Sequence, residues 1–542
     1  MAVPAEAKRE SEALLTEFTD TMQGKWRCFE VMLLVCFMLG AVTLSKAEGD
    51  AAKFETCISS YLLRRPASKL EVVYQTDLMY ATYNTRNFQS PSHARKPVSF
   101  GLPADDHDVS ALVKCANAAD IRFTARGGGH SYIGASLLDK GLVIDMSRLA
   151  AVLVSPAKRT AQIGAGQLLG EVYLQLLNAG NYTLPGGRCP GVGISGHTLG
   201  GGLGHATRQL GWLIDSLVQI RGVTAEGDIV TGNSSTNPDL LWAAKGGGPD
   251  ILLVTDWTFK IHPAPPQVSH VVITAPHSSI EQLLAAYVAW KPWDLPPAYA
   301  MVELSLTPAG DNWIDIFFWG PMAQAMKDIQ SSPLSQVPGF TIKTSSVGNW
   351  AQTLVETTGV TSLDKMSAAT MVAAQYSGSM EGGTTHPGGY RHFKASSLMF
   401  NTTLSPAAQQ ALVTAVTSML PEAPAWAFMQ IRALGGSVIQ NIGQSDTALP
   451  HRDVLLEAQV YVEKAAAADL DASVQNVKLA LAPYTQSHPF FYNYIDCDDY
   501  TSAPAGSDPW RVYFGDNAAR LRKIKQQYDP KGRLDGKRCA EV

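Results

Sequence analysis

Between residues 185 and 204 the chain reads Pro185-Gly186-Gly187-Arg188-Cys189-Pro190-Gly191-Val192-Gly193-Ile194-Ser195-Gly196-His197-Thr198-Leu199-Gly200-Gly201-Gly202-Leu203-Gly204, nine glycines and two prolines around one cysteine. That density works against one continuous helix or strand and strips away side chains, so backbone N–H groups can close on a flat or anionic ligand. The stretch reads as the wall of a binding site, not as a linker. A second loop, Arg126-Gly127-Gly128-Gly129-His130-Ser131-Tyr132, lies between the strand-like Ile121 to Thr124 and the strand Leu142 to Asp145. Strand, glycine loop, strand makes a pyrophosphate cradle, to which Arg126 adds charge and the Ser131 hydroxyl a donor. A dinucleotide fits it.

Three plainer readings compete. Gly191 to Gly196 formally matches GxGxxG, with Asp215 near the place of a ribose-binding acid. That motif must follow a buried strand, however, and here Tyr182 to Gly187 ends in turn residues. His130, His197 and His205 lack carboxylates or thiols at metal-ligand spacing, so no metal is expected. A single glycine loop is usually a tight turn; two, one with a histidine and one with a cysteine, are poorly explained that way.

Together the two loops resemble the flavin-attachment loops of the berberine bridge enzyme-like oxidases of the vanillyl-alcohol oxidase superfamily. The resemblance extends to Asp239-Leu240-Leu241-Trp242-Ala243-Ala244-Lys245-Gly246-Gly247-Gly248, Asn493-Tyr494-Ile495-Asp496 and Tyr513-Phe514-Gly515-Asp516-Asn517 through Tyr528-Asp529-Pro530, so it spans roughly residues 55 to 535. It implies FAD held by two covalent bonds, the flavin 8α-methyl to His130 and flavin carbon 6 to Cys189. The cofactor contacts it implies are Arg126 to Ser131, then Gly187, Cys189, Val192, Gly193, Ser195, Gly196, Gly200, Gly201 and Gly202, with Ile229 and Asn493 outside both loops. It also implies a Cys57–Cys115 disulfide; Cys497 and Cys539 are then left as a second pair or as free thiols.

The 542 residues, 46% hydrophobic, suffice for two or three domains, and a net charge of −5 gives no bulk electrostatic case for nucleic acid or an anionic membrane. The apolar run Val31 to Leu44 is 14 residues long, short of the ~20 that span a bilayer. Preceded by Lys25 and Arg27 and followed by Ser45-Lys46-Ala47, it reads as a secretory signal, with an uncleaved anchor or a start at Met22 left open. Secretion would make the sequons at Asn181, Asn233 and Asn401 usable.

The expected architecture is α+β: an N-terminal extension (1–47), a FAD-binding domain (48–264), an inserted sheet-and-helix substrate domain (265–485) after His262-Pro263-Ala264-Pro265-Pro266, and a return to the FAD domain (486–542). Helices are expected at Phe54 to Leu63, Asp105 to Ala119, Leu168 to Ala179, Ser279 to Trp290, Met322 to Gln330, Pro406 to Met419, Asp453 to Ala465, Leu470 to Leu481 and Asn517 to Tyr528. The basic run Arg520, Arg522, Lys523, Lys525 reads as a solvated helix face. Leu217 to Thr224 and Asp228 to Thr231 read as a hairpin around Ala225-Glu226-Gly227.

The family's Tyr-x-Asn-Tyr segment supplies tyrosines with phenolate character that deprotonate the substrate alcohol. Here it is Phe491-Tyr492-Asn493-Tyr494, so the first tyrosine is missing. Tyr494 or Tyr492 must serve instead, or Gln430 or Glu303 must orient the substrate. After Gly248 the chain continues Pro249-Asp250-Ile251-Leu252, a departure in a segment that lines the cofactor in relatives. Val192, three residues after the flavin cysteine, matches relatives that use dioxygen. The expectation is an extracellular oxidase of an alcohol or hemiacetal carbon, on a saccharide, releasing hydrogen peroxide. The alternatives are a biosynthetic oxidoreductase of specialised metabolites and a flavin-binding protein that has lost its chemistry.

Overall fold

The structure is a computed structural model; it describes residues 49–89, 94–358, 360–367, 393–419, 425–464, 470–486, 488–502 and 508–534. The apolar run at 31–44 and Cys539 lie outside these residues, and no helix among them is long and apolar enough to cross a membrane.

The first unit is built on two sheets. In one, Ser99–Leu102, Leu142–Asp145 and Phe123–Arg126 run parallel, with Glu71–Tyr74 antiparallel at the edge. Because Phe123–Arg126 and Leu142–Asp145 are parallel neighbours, the chain between them must cross over, and that crossover is the first glycine loop. Helix Asp106–Ala118 buries Val109, Leu112, Val113 and Ala116, the face expected from the sequence, and Asp105 caps it by accepting from the Asp108 N–H. The Cys57–Cys115 disulfide ties this helix to the preceding one at 49–64. Cys497 is disulfide-bonded as well.

The second sheet is antiparallel, in the order Val152–Ser155, Thr160–Gly164, Leu253–Lys260, Leu217–Val223, Ile229–Asn233. Its last two strands form the expected hairpin, with Gly227 at φ 90°, a conformation that favours glycine. GxGxxG is followed here by a helix of only six residues, Ile194–Leu199, and Asp215 is ion-paired with Arg452 at 2.9 Å. The dinucleotide fingerprint is therefore a coincidence of spelling.

From Val268 the chain builds a seven-stranded sheet, in the order Thr341–Gly348, Val268–Ala275, Asn312–Phe318, Tyr299–Leu306, Ala425–Ala433, Leu456–Lys464, Phe393–Phe400. Helices Ile280–Trp290, Pro406–Thr417 and Leu470–Leu481 join one face, where Val302, Leu304, Met429, Ile431, Ala458 and Val460 enter the common core. The alternate residues, including Glu303, Gln430, Arg432 and Gln459, line the cavity on the other face. The period of two thus sorts core from site.

Two expectations need correcting. Asp453 to Ala465 is a strand, Leu456–Lys464, rather than a helix. Its Leu, Glu and Ala content favours helix, but Leu456, Ala458, Val460 and Val462 alternate and are buried, so tertiary burial overrides propensity. The strands Val268–Ala275, Thr341–Gly348 and Phe393–Phe400 were not anticipated. The basic run of the last helix, Ala518–Tyr528, is also more than a solvated face. Arg520 lies 3.9 Å over the Trp242 ring, and Lys525 donates to the carbonyls of Asp250 and Leu534. These contacts clamp the returning C-terminal segment onto the first unit.

Candidate active site

The two glycine loops meet backbone to backbone. A Cβ on Gly128 would fall 2.4 Å from the Gly193 nitrogen, and one on Gly193 would fall 2.3 Å from that of Gly128. No side chain fits at this junction, which is why both loops lack them. On one side of the junction opens a cavity of roughly 340 Å³. Gly127 to Ser131 form one wall, and Gly187, Cys189, Val192, Gly193, Ser195 and Gly196 another. His130 stacks on Phe88 at 4.4 Å, and Cys189 carries no disulfide.

Some residues expected at the cofactor lie outside the lining of this cavity. Arg126 is fully buried beneath the loop, donating to Asp145 at 2.6 and 2.9 Å and to the Tyr83 carbonyl at 2.6 Å. It stabilises the strand end and does not line the cavity. Gly200, Gly201 and Gly202 pack against Asn493, Leu449, Phe491 and Leu213 and are not part of its wall; Ile229 lies on the outer strand of the five-stranded sheet. Asn493 reaches the wall but also braces the loop, donating to the Gly196 carbonyl and accepting from the Gly202 N–H, each at 3.1 Å. The Ser195 hydroxyl points into the sheet, donating to the Ala165 carbonyl and accepting from Trp257 Nε1.

Burial would raise the Asp145 carboxyl, but Arg126 and Arg86 hold it down to about 2. A depressed carboxylate contributes stability above its ordinary value near 3.8 and loses that contribution as pH falls through about 2. Arg126→Ala should therefore destabilise the fold by about 3–5 kcal/mol at pH 7 by stranding a buried charge. The gap from the unaltered protein should be widest at neutral pH and narrow steadily into acid, as the stranded Asp145 takes up a proton in the variant, read from urea midpoints. A loss below 1 kcal/mol would contradict this.

Opposite the loops, Arg432 is the hub of a buried polar network. It donates to Glu303 Oε2 at 2.6 Å, Glu457 Oε2 at 2.8 Å, Gln430 Oε1 at 2.6 Å, Gln459 Oε1 at 3.1 Å and Tyr494 Oη at 3.3 Å. Gln459 passes the network on to Tyr132 Oη at 3.2 Å, and the Tyr132 ring stacks on Tyr494 at 5.6 Å. Burial pushes the Tyr494 hydroxyl up, Arg432 only partly offsets this, and Glu457 and Glu303 add to it, all of which works against the expected phenolate. Burial pushes Glu457 up to about 7 against the pull of Arg432. Glu303 goes the other way, because Arg432 and Arg188 outweigh its burial. Its second oxygen, Oε1, is buried on the cavity side with no hydrogen bond among the described residues.

Tyr492 also reaches the cavity, packed against Tyr513 and Phe514. Phe491 is buried in a separate cluster with Trp212, Leu203 and Leu449. His197 is kept neutral by burial, at about 4, and its Nε2 accepts from the Gly187 N–H at 2.8 Å. Among the described residues no group of three His, Cys, Asp or Glu side chains could hold a metal ion. Arg432, Gln459 and Glu457 were not singled out from the sequence, although the alternation Phe428, Gln430, Arg432 was there to be read.

Residues 99–233 match the model of a FAD binding domain, and residues 491–533 match that of the berberine and berberine-like family. An uncharacterized FAD-linked oxidoreductase, YgaK of Bacillus subtilis, is 30% identical over 78% of this chain and 86% of its own length. The chain belongs to the berberine bridge enzyme-like FAD-linked oxidoreductases. Glucooligosaccharide oxidase of Sarocladium strictum is 27% identical over 80% of this member of the family and 85% of its own chain. Among solved structures, BBE-like 1 of Physcomitrella patens superposes with a TM-score of 0.77 at 24% identity, covering 89% of this chain and 97% of the other. Glucooligosaccharide oxidase from Acremonium strictum, whose FAD is described as 6-S-cysteinyl and 8α-N1-histidyl, gives 0.76 at 23%, with the same coverage. In this berberine bridge enzyme-like oxidase the FAD-binding segment ends in the strand Ile229–Asn233, and the berberine-like segment begins at the buried Phe491.

Proposed function

We propose that the protein is an extracellular oxidase that takes a hydride from an alcohol or hemiacetal carbon of a saccharide and passes the electrons to dioxygen, giving hydrogen peroxide. The observation that carries this is one cavity with His130 and Cys189 on side-chain-free loops and a hydrogen-bonding wall of Glu303, Gln430, Arg432 and Gln459 opposite. The site suits FAD, tied through His130 and Cys189, which supplies the hydride acceptor when bound. Glu303 Oε1, which carries no hydrogen bond and is kept ionised by Arg432 and Arg188, takes the substrate hydroxyl proton as C–H cleavage makes that carbon a carbonyl. Gln430, its oxygen held by Arg432, offers its NH₂ to a substrate oxygen, and the neutral Tyr494 orients the hydroxyl. The carbohydrate oxidases among the relatives support the substrate class. Val192 on the cavity wall supports the use of dioxygen, and the apolar run at 31–44 supports secretion.

The test mixes the purified protein anaerobically with neutral and acidic oligosaccharides and with polycyclic alcohols, then admits air. Bleaching of flavin absorbance by a saccharide, followed by peroxide release, is expected. An aromatic panel of Phe88, Tyr132, Phe393, Phe428 and Tyr461, with centroids 4.9–6.1 Å apart, favours a second reading on flat specialised metabolites. Bleaching by polycyclic alcohols alone would replace the first reading with this one.

A further inference from the structure

The cysteine loop caps a helix. Helix Leu169–Asn178 has no side-chain cap at Leu168, and its first N–H groups are taken instead by carbonyls of the loop: Leu169 donates to Val192 at 2.9 Å and Gly170 to Pro190 at 3.0 Å. One turn further in, the Tyr173 hydroxyl donates to the Gly187 carbonyl at 2.8 Å. Cys189 is thus suspended between two peptide carbonyls, those of Gly187 and Pro190, both pinned to one helix. Tyr173 is locked in place. It is 1% exposed, belongs to the common core, and lies so close to the loop that a Cβ on Gly186 would fall 2.8 Å from its oxygen.

The histidine loop is fixed by other means. The Gly129 carbonyl accepts from the Phe88 N–H at 2.9 Å, and Ser131 Oγ accepts from the Ala135 N–H at 3.1 Å. Where the two loops meet, at Gly193, the chain is held by the Ile194 N–H, which donates to the Gln167 carbonyl at 2.9 Å. None of these three bonds involves Tyr173. Its hydroxyl therefore acts on one attachment residue and not on the other.

We propose that Tyr173 is a positioning residue for the cysteinyl bond: by fixing the Gly187 carbonyl it aims the Cys189 sulfur at flavin carbon 6, and it leaves the bond to His130 untouched. This rests on the reading of Cys189 as an attachment residue. In that reaction the sulfur gives up its hydrogen, and carbon 6 its own, for one S–C bond, while dioxygen takes up the two hydrogens and two electrons as hydrogen peroxide. Such a bond forms only when sulfur and carbon are already aligned, and a misplacement of about 1 Å costs on the order of 100-fold in rate. Losing the hydroxyl that holds the peptide just before Arg188 and Cys189 is a displacement of this kind.

The test isolates the holoenzyme and three variants, denatures them, alkylates free thiols with iodoacetamide and reads the His130 and Cys189 peptides by mass. In the unaltered protein the flavin should join both peptides, and Cys189 should escape alkylation. In Tyr173→Phe, which keeps the ring and drops the hydroxyl, the flavin should stay on His130 while Cys189 is alkylated, and the S–C bond should form on the order of 100-fold more slowly during incubation in air. Tyr287→Phe is the control for a merely structural effect, since Tyr287 is as deeply buried and its hydroxyl donates to the Val302 and Ile431 carbonyls. Both bonds should form in it. Gly170→Ala tests the other pinned carbonyl: alanine favours helix, but its Cβ would fall 2.7 Å from Pro190 Cβ and must push the loop away, so the same selective loss is expected. The proposal is overturned if Tyr173→Phe forms the cysteinyl bond as fast as the unaltered protein, if it loses both bonds together, or if Tyr287→Phe shows the same selective loss. Should Tyr173→Phe fail to fold, Gly170→Ala decides, and both bonds intact in it would overturn the proposal as well. A Cys189 peptide without flavin in the unaltered protein sinks the attachment reading and this inference together; a cysteinyl bond in both the unaltered protein and Tyr173→Phe sinks this inference alone.

Discussion

Replacing both attachment residues, His130→Ala together with Cys189→Ala, should release all the flavin into the supernatant on acid precipitation, whereas the unaltered protein should keep its colour in the pellet. Either single variant should retain the colour, because one bond remains. His130 stacks on Phe88, and both residues also sit on loops with backbone constraints of their own. His130 follows Gly129 at φ 69°, and the Cys189 carbonyl accepts from the Val192 N–H at 3.2 Å. Removing the side chains therefore leaves the loops in place. The double variant should still fold with unchanged urea midpoints, so loss of colour reports the bonds and not the fold. Flavin retained in the acid pellet of the double variant would overturn the assignment of both.

The second large effect is expected at Glu303. Glu303→Gln keeps the shape and the contact with Arg432 but removes the ionised acceptor, and kcat should fall by roughly 10²- to 10⁴-fold, the usual range for a lost general base. Tyr494→Phe should cost less, on the order of tenfold, spread over KM and kcat, because a buried neutral phenol orients the hydroxyl without taking its proton. Rapid single-turnover reduction separates the two. Should Tyr494→Phe prove the more damaging variant, the proton acceptor is the tyrosine after all.

The glycine loops were legible in the sequence because their constraint is local: two backbones 2.3–2.4 Å from any added Cβ tolerate only glycine. The helices with one continuous apolar face, such as Asp106–Ala118, were equally plain. What escaped is non-local. Leu456–Lys464 spells helix by composition and becomes a strand because Ala425–Ala433 and Phe393–Phe400 flank it. Arg126 reads as a phosphate ligand until Asp145, on the neighbouring strand, claims it. Tyr494 reads as a base until its burial beside two carboxylates is known.

The brace that Asn493 places on Gly196 and Gly202 sets an order of events in biosynthesis. Its partners are made some 290 residues earlier, so the cysteine loop waits, without its support, while most of the polypeptide emerges. Tyr492, Asn493 and Tyr494, from the same returning segment, complete the cavity wall. A chain cut before Asn493 should therefore lose this brace, and its flavin content should fall even with His130 and Cys189 intact.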